Sequence, residues 1–219
     1  MNVFDIIGPI MVGPSSSHTA GAVRIGKMAR MVLNEEPVKA LVQLHGSFAK
    51  TYRGHGTDRA IAAGIMGFEV DDDRIVNSLN IAKERNLDIE FEETDLGSVH
   101  PNTAKIVISS ASNKTVSVTG SSIGGGNIII VNINGINVEF TGQYYTIIIT
   151  HKDKPGIIAH VTDVLAKGRI NIAFMKVYRT LKGGDAMMVI EADHVVDMRT
   201  MEMLNNLDSV KSATLIKAM

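Results

Sequence analysis

The chain has 219 residues, 45% hydrophobic and 21% charged, with a net charge of −1: enough for a core in one large or two small domains, and no electrostatic footprint for nucleic acid. Cysteine is absent, which excludes disulfides and any thiolate-ligated metal or cluster held by this chain alone. No signal-peptide pattern opens the sequence and no apolar run reaches membrane-spanning length, so a cytoplasmic protein with no membrane role is expected.

Near the N-terminus, "GPSSSHTAGAVRIG" (Gly13–Gly26) runs three serines, a histidine and a threonine into a helical pattern. Ala22, Ile25, Met28, Ala29 and Val32 follow at helical spacing. "VKALVQLHG" reads as a strand. "GTDRAIAAGIMG" reads as a helix, with Thr57 or Asp58 to cap it and Gly67 to end it. "VDDDRIVNSLNIAKERN" reads as an amphipathic helix, its Asp71–Asp73 cluster suiting a helix start rather than a metal. Short strands then gather: "AKIVISS", "TVSVTGSS", "NIIIVNI" and "INVEF", with Asn134-Gly135 as a hairpin turn. This first part is α+β with an antiparallel or mixed sheet and helices.

From Tyr144 the pattern is strand, helix, strand, strand, helix, strand, the βαββαβ order of a ferredoxin-like module. Pro155 lies near the first turn of the first of these helices and Gly168 suits its end. The expected join is Gly142-Gln143, giving domains 1–142 and 143–219. Met175, Met187 and Met188 fall on strands of the second domain and read as core.

The serine run suits a small anion: unpaired N–H groups and partial positive charge at a helix start, plus neutral hydroxyl donors. His18 beside it titrates near neutral pH and can move a proton. A plain helix cap with a surface histidine is equally open on this stretch alone. His55 lies between glycines at the mouth of a helix, and His100 opens "HPNT". His45 follows an apolar strand and reads as a packing histidine. "GSSIGGGN" lacks the Lys-Ser/Thr ending of a phosphate loop and reads as a tight turn. Proton abstraction beside a carboxylate needs a base, a carboxylate clamp and an electrophile. The first two can be built from these residues; no residue type here supplies the third.

Together, "GPSSSHTAGAVRIG", "GHGTDRAI", "HPNTAKI" and "GSSIGGG" resemble the β domain of iron–sulfur-dependent L-serine dehydratases, in the form of a separate β chain. "HKDKPGIIAHVTDVLAKGRINIAFMKVYR" resembles an ACT domain. The resemblance implies a lyase that converts L-serine to pyruvate and ammonia. It implies a [4Fe–4S] cluster ligated by a partner α subunit, whose open iron acts on the substrate hydroxyl, and an active site where α and β meet. Carried over, the catalytic residues are His18, His55 and His100, with His18 or His55 as the base. Ser15, Ser16, Ser17, Thr19, Asn102 and Thr103 hold substrate. For the ACT domain the resemblance implies pairing with a second copy and an amino-acid site at Asp153, Gly156 and Asn171. Arg169 stands where that family usually has glycine two residues before the Asn, which counts against an amino-acid pocket. The rival reading is a regulatory or dimerisation subunit that senses an amino acid and supplies no catalytic group.

Overall fold

The computed structural model describes residues 9–219; the first eight residues of the expected N-terminal domain lie outside the described residues. The chain divides into two units between Gly135 and Ile136.

In the first unit, α1 (Ala22–Leu33) buries Val23, Ile25, Met28, Ala29, Val32 and Leu33, so the helical spacing marks its inner face. It ends on Asn34 at φ 53°, a left-handed position that asparagine tolerates. β1 (Pro37–Leu44), α2 (Gly46–His55) and α3 (Thr57–Ile65) follow, then α4 (Ser78–Glu84) and β2 (Asp88–Glu93). β3 (Thr103–Ser110), β4 (Thr115–Gly124) and β5 (Asn127–Ile133) complete this unit's sheet, in the order β2-β1-β3-β4-β5; β6 (Ile136–Phe140) follows the division. β1 and β2 are parallel, whereas β1–β3, β3–β4 and β4–β5 are antiparallel. The sheet is therefore mixed. Asn134 and Gly135 both take positive φ, 51° and 82°, as a two-residue hairpin turn requires. "GSSIGGGN" forms the end of β4 and the tight turn into β5.

α1 and α3 approach so closely that only glycine fits at the crossing. A Cβ on Gly64 would stand 2.0 Å from the Val23 carbonyl oxygen, and one on Gly26 would stand 2.4 Å from that of Ile61. Ile25 reaches the sheet at Gly120, where a Cβ would meet it at 3.3 Å. These contacts fix the helices that carry the site.

Four local features differ from the sequence reading. α2 was not read from the sequence: it buries Phe48 alone and contains two glycines, so no apolar stripe marks it. β2 was not read either, because acidic residues fill DIEFEE; as an edge strand, it is blunted by that charge. Neither Thr57 nor Asp58 caps α3. Gly56 takes the cap position at φ 71°, Asp58 Oδ1 accepts the N–H of Arg59 at 2.8 Å, and the buried Thr57 hydroxyl has no partner among the described residues. The expected helix around Asp71–Asn86 splits into a 3-10 turn, Asp73–Asn77, and α4. Its start holds as expected, with the Asp72 carboxylate accepting the Arg74 N–H at 2.9 Å.

The second unit runs β7 (Tyr145–Lys152), α5 (Ile157–Lys167), β8 (Ile172–Arg179), β9 (Asp185–Ala192), α6 (Met198–Asn205) and β10 (Val210–Ile216). Its sheet order is β10-β7-β9-β8, antiparallel throughout, which is the expected ferredoxin-like module. Ile147, Ile149, Val161, Leu165, Met188, Ile190 and Leu204 form its core. Met187 is also buried, and Met175 packs against the core. Gly168 ends α5 for a steric reason: a Cβ there would lie 2.7 Å from Thr200 Oγ1. The left-handed turn that follows falls on Arg169, at φ 55°.

The α1–α3 crossing makes a direct prediction. Gly64→Ala forces backbone apart from backbone and lowers unfolding free energy by about 1–3 kcal/mol in chemical denaturation. Gly54→Ala, at a helical glycine with nothing within 4 Å of a Cβ, leaves stability unchanged or raises it by up to about 1 kcal/mol.

Candidate active site

The serine run does not cap a regular helix. Ser17–Gly21 forms one π turn leading into α1, in which the Gly21 N–H donates to the Ser16 carbonyl at 2.9 Å. Such wide turns recur at functional sites. The turn lies tight against β4, since a Cβ on Gly21 would stand 2.1 Å from Ser122 Oγ. The preceding chain folds over Thr19, leaving no room for a side chain at Gly13. This places His18 inside the protein, at 8% exposure.

α2 passes beside it. Ser47 and Thr51 are one turn apart and meet the same imidazole nitrogen: Ser47 Oγ lies 3.4 Å and Thr51 Oγ1 3.2 Å from His18 Nε2. The Thr51 hydroxyl donates its proton to the Ser47 carbonyl at 2.8 Å, so toward His18 it accepts. Ser15 Oγ accepts the His18 backbone N–H at 3.3 Å and lies 3.4 Å from Nδ1. A neutral His18 with its proton on Nε2 satisfies this pattern, donating to Thr51 Oγ1 and accepting the Ser15 hydroxyl at Nδ1.

His55 closes α2 and stands edge-on to His18, with ring centroids 4.7 Å apart. Phe48 packs on His18 as well, at 5.2 Å. Burial holds the His18 imidazole below its ordinary value, and the nearby His55 acts in the same direction. His55 itself is exposed. It lines a cavity of about 180 Å³ with Gly13, Thr19, Arg53, Gly56 and Arg59 among its walls.

At the other end of α2 lies the loop of His100. The Pro101 carbonyl accepts the N–H groups of Ser47 at 2.8 Å and Phe48 at 3.3 Å. The loop thus does what a capping side chain would do, and Gly46 at φ 59° allows the approach. His100 is exposed, and its Nδ1 accepts the Asn102 N–H at 3.1 Å. The Asn102 carbonyl accepts the Ser122 N–H at 2.9 Å. Thr103 is fully buried, with its hydroxyl donating to the His100 carbonyl at 2.6 Å and lying 2.7 Å from Ser121 Oγ. His45 is a packing histidine, as expected: its Nδ1 accepts the Leu96 N–H at 3.1 Å.

Of the expected residues, the structure brings Ser15, His18 and His55 together and sets Thr19 in the cavity wall. His100 and Asn102 are held at the start of α2; Ser17 opens the π turn and Ser16 precedes it, both half-buried. Ser47, Thr51, Arg53 and Arg59 were not singled out; the i, i+4 hydroxyl pair is visible only once α2 is known to be a helix. Among the described residues no three His, Asp or Glu side chains form a metal-binding group. With no cysteine in the chain, the residues present do not fit as ligands of an iron–sulfur cluster.

The serine dehydratase beta chain family model matches residues 2–78, and the ACT domain model matches residues 145–208. A probable L-serine dehydratase, beta chain, of Bacillus subtilis (strain 168) is 47% identical over 215 residues, covering 98% of this chain and 97% of that protein. The L-serine dehydratase, beta chain, of Peptoniphilus asaccharolyticus is 45% identical over 193 residues, covering 88% and 87%. The chain belongs to the L-serine dehydratase β-chain family. Residues matched by the β-chain family model include Ser15, His18, Ser47, Thr51 and His55, so the whole hydroxyl–imidazole cluster falls inside the match. The ACT match falls inside the second unit.

The His18–His55 pair predicts a pH response. In an NMR titration His18 gains its proton below the usual value of about 6.5. His55→Ala raises that midpoint without fully restoring it, because burial is the larger cause. Since the unfolded chain binds this proton more readily, the His18 contribution to stability falls as pH drops below about 6.5 toward the folded midpoint.

Proposed function

We propose that this chain is the β subunit of an L-serine ammonia-lyase, inactive until an α subunit completes the site. The reading rests on one observation above the others: a buried imidazole kept neutral stands against an exposed one on the wall of a small cavity. Removal of the α-proton and loss of the β-hydroxyl as water leave an enamine. Its tautomerisation and hydrolysis give pyruvate and ammonia. His55 takes the α-proton from substrate in the cavity. The ring beside it, His18, is kept from its charged form chiefly by burial. His18 is the positioning residue, held by Ser15, Ser47 and Thr51. His100 and Asn102 stand at the start of α2, the opposite end from His55, and lie outside the walls of that cavity.

The [4Fe–4S] cluster belongs to the α subunit under this reading, and when bound it supplies Lewis acidity for the leaving hydroxyl. The ACT unit serves assembly, pairing with a second copy. Two of its three expected amino-acid ligands are engaged inside the unit. The Asp153 carboxylate accepts from Arg179 at 2.9 Å and from the Gly183 N–H at 3.0 Å, and the Asn171 amide donates to Asp193.

The test is anaerobic pyruvate formation from L-serine, with this chain alone, with a co-expressed α chain, and with the α chain alone. Only the mixture turns over. In the mixture His55→Ala lowers kcat by about 10²- to 10⁴-fold, the range of a general base, while the complex elutes unchanged on size exclusion. Full turnover by the α chain alone overturns the assignment, and retained turnover in His55→Ala overturns the role of His55.

A further inference from the structure

The cavity beside His55 holds a feature that the histidine chemistry does not use. α2 and α3 are joined through Gly56, whose left-handed φ of 71° makes the bend. The bend sets the last turn of α2 and the first turn of α3 around one small space. Arg53 comes from the first and Arg59 from the second, and both line the cavity with His55 and Thr19. At about 180 Å³ the space is below the roughly 300–1,000 Å³ of sites for drug-sized ligands. It suits a small metabolite.

Neither guanidinium forms an ion pair with a carboxylate among the described residues. Arg53 Nε donates to the Tyr52 hydroxyl at 3.1 Å, and the guanidinium stacks over that ring. The nearby carboxylate is Asp58, which is 9% exposed and accepts the backbone N–H of Arg59 at 2.8 Å. Among the described residues these two arginines and one aspartate leave a single positive charge, complementary to one carboxylate. The serine run contributes Thr19 alone to the cavity wall, and the Ser15 hydroxyl is engaged by His18.

We propose that Arg53 and Arg59 form the subsite for the substrate carboxylate, in place of the serine hydroxyls. The inference deepens the lyase reading above and rests on it. Two guanidinium forks offer paired N–H donors matched to a carboxylate. With the carboxylate held there, the adjoining carbon is presented to the same wall that carries His55.

The experiment uses the α–β complex with R53Q, R59Q and the double variant, with L-serine as substrate and L-serinamide, which lacks the carboxylate, as inhibitor. Each single variant raises KM for serine by about tenfold or more, the scale of a hydrogen bond to a charged group. The double variant raises it further, and kcat falls much less than KM rises. The inhibition constant of L-serinamide stays within about twofold of wild type. Unchanged KM in the double variant overturns the proposal, and so does equal weakening of serine and serinamide, which marks a merely structural role. Should the glutamine variants fail to assemble, R53K/R59K keeps the charge, removes the planar forks, and shows the same selective loss at smaller size. A wild-type complex without serine turnover is the separate failure of the lyase reading; binding of D-serine by calorimetry, weakened in R53Q/R59Q, then still decides whether the arginines hold a carboxylate.

Discussion

Leaving a ring nitrogen of a buried imidazole unpaired costs the fold the desolvation of that atom, and His18 avoids that cost. The arrangement around His18 follows from that constraint. Three hydroxyls surround it, from Ser15, Ser47 and Thr51, and no carboxylate among the described residues. A carboxylate would favour the charged ring; hydroxyls satisfy the neutral one and fix its tautomer. The π turn brings Ser15 back to its own histidine, and α2 must lie where its first two turns reach Nε2. The position of α2 is therefore coupled to the protonation state of one residue.

Glycine makes these approaches possible, at places where backbone meets backbone. Gly26 and Gly64 let α1 and α3 touch, Gly21 lets the π turn meet β4, and Gly46 lets α2 accept the Pro101 loop. Cores of this density tolerate little displacement. A shift of α3 would carry Arg59 away from Arg53, and a shift of the loop would release the first N–H groups of α2. The β4 strand takes part in both regions, through Ser122 beside Gly21 and through the bond from its N–H to Asn102. The two ends of the site are thus tied to one strand.

Much of this was legible in the sequence where hydrophobic period and turn chemistry agree. The ferredoxin-like order, the Asn134-Gly135 hairpin and the inner face of α1 all belong to that class. α2 was not legible, because its packing depends on one phenylalanine and its polar contacts are tertiary. β2 was hidden by its charge. The site follows the same division. His18 and His55 stand out as histidines set in small polar residues, but their edge-on contact depends on α2 having about three turns. Ser47 and Thr51 carry no local signal: their role exists only relative to a histidine on another element. Arg53 and Arg59 look like surface charges on a chain near neutrality, and only the bend at Gly56 makes them neighbours of one cavity.

The exposures of the site residues bear on the proposed role of a second chain. His18 is buried, but His55, His100, Arg53 and Arg59 are exposed, and Val76 in the same cavity wall is 61% exposed. Charges and dipoles act strongly on a reacting group where water is excluded and weakly where it is not. Proton removal from the α-carbon of an amino acid needs the strong case. In the proposed assembly the α subunit brings the electrophile and also covers this surface, lowering the local dielectric around the arginines and His55. The β chain can then fold as a stable unit with its catalytic charges in water, where they cost little, and have them desolvated only when the partner that uses them arrives.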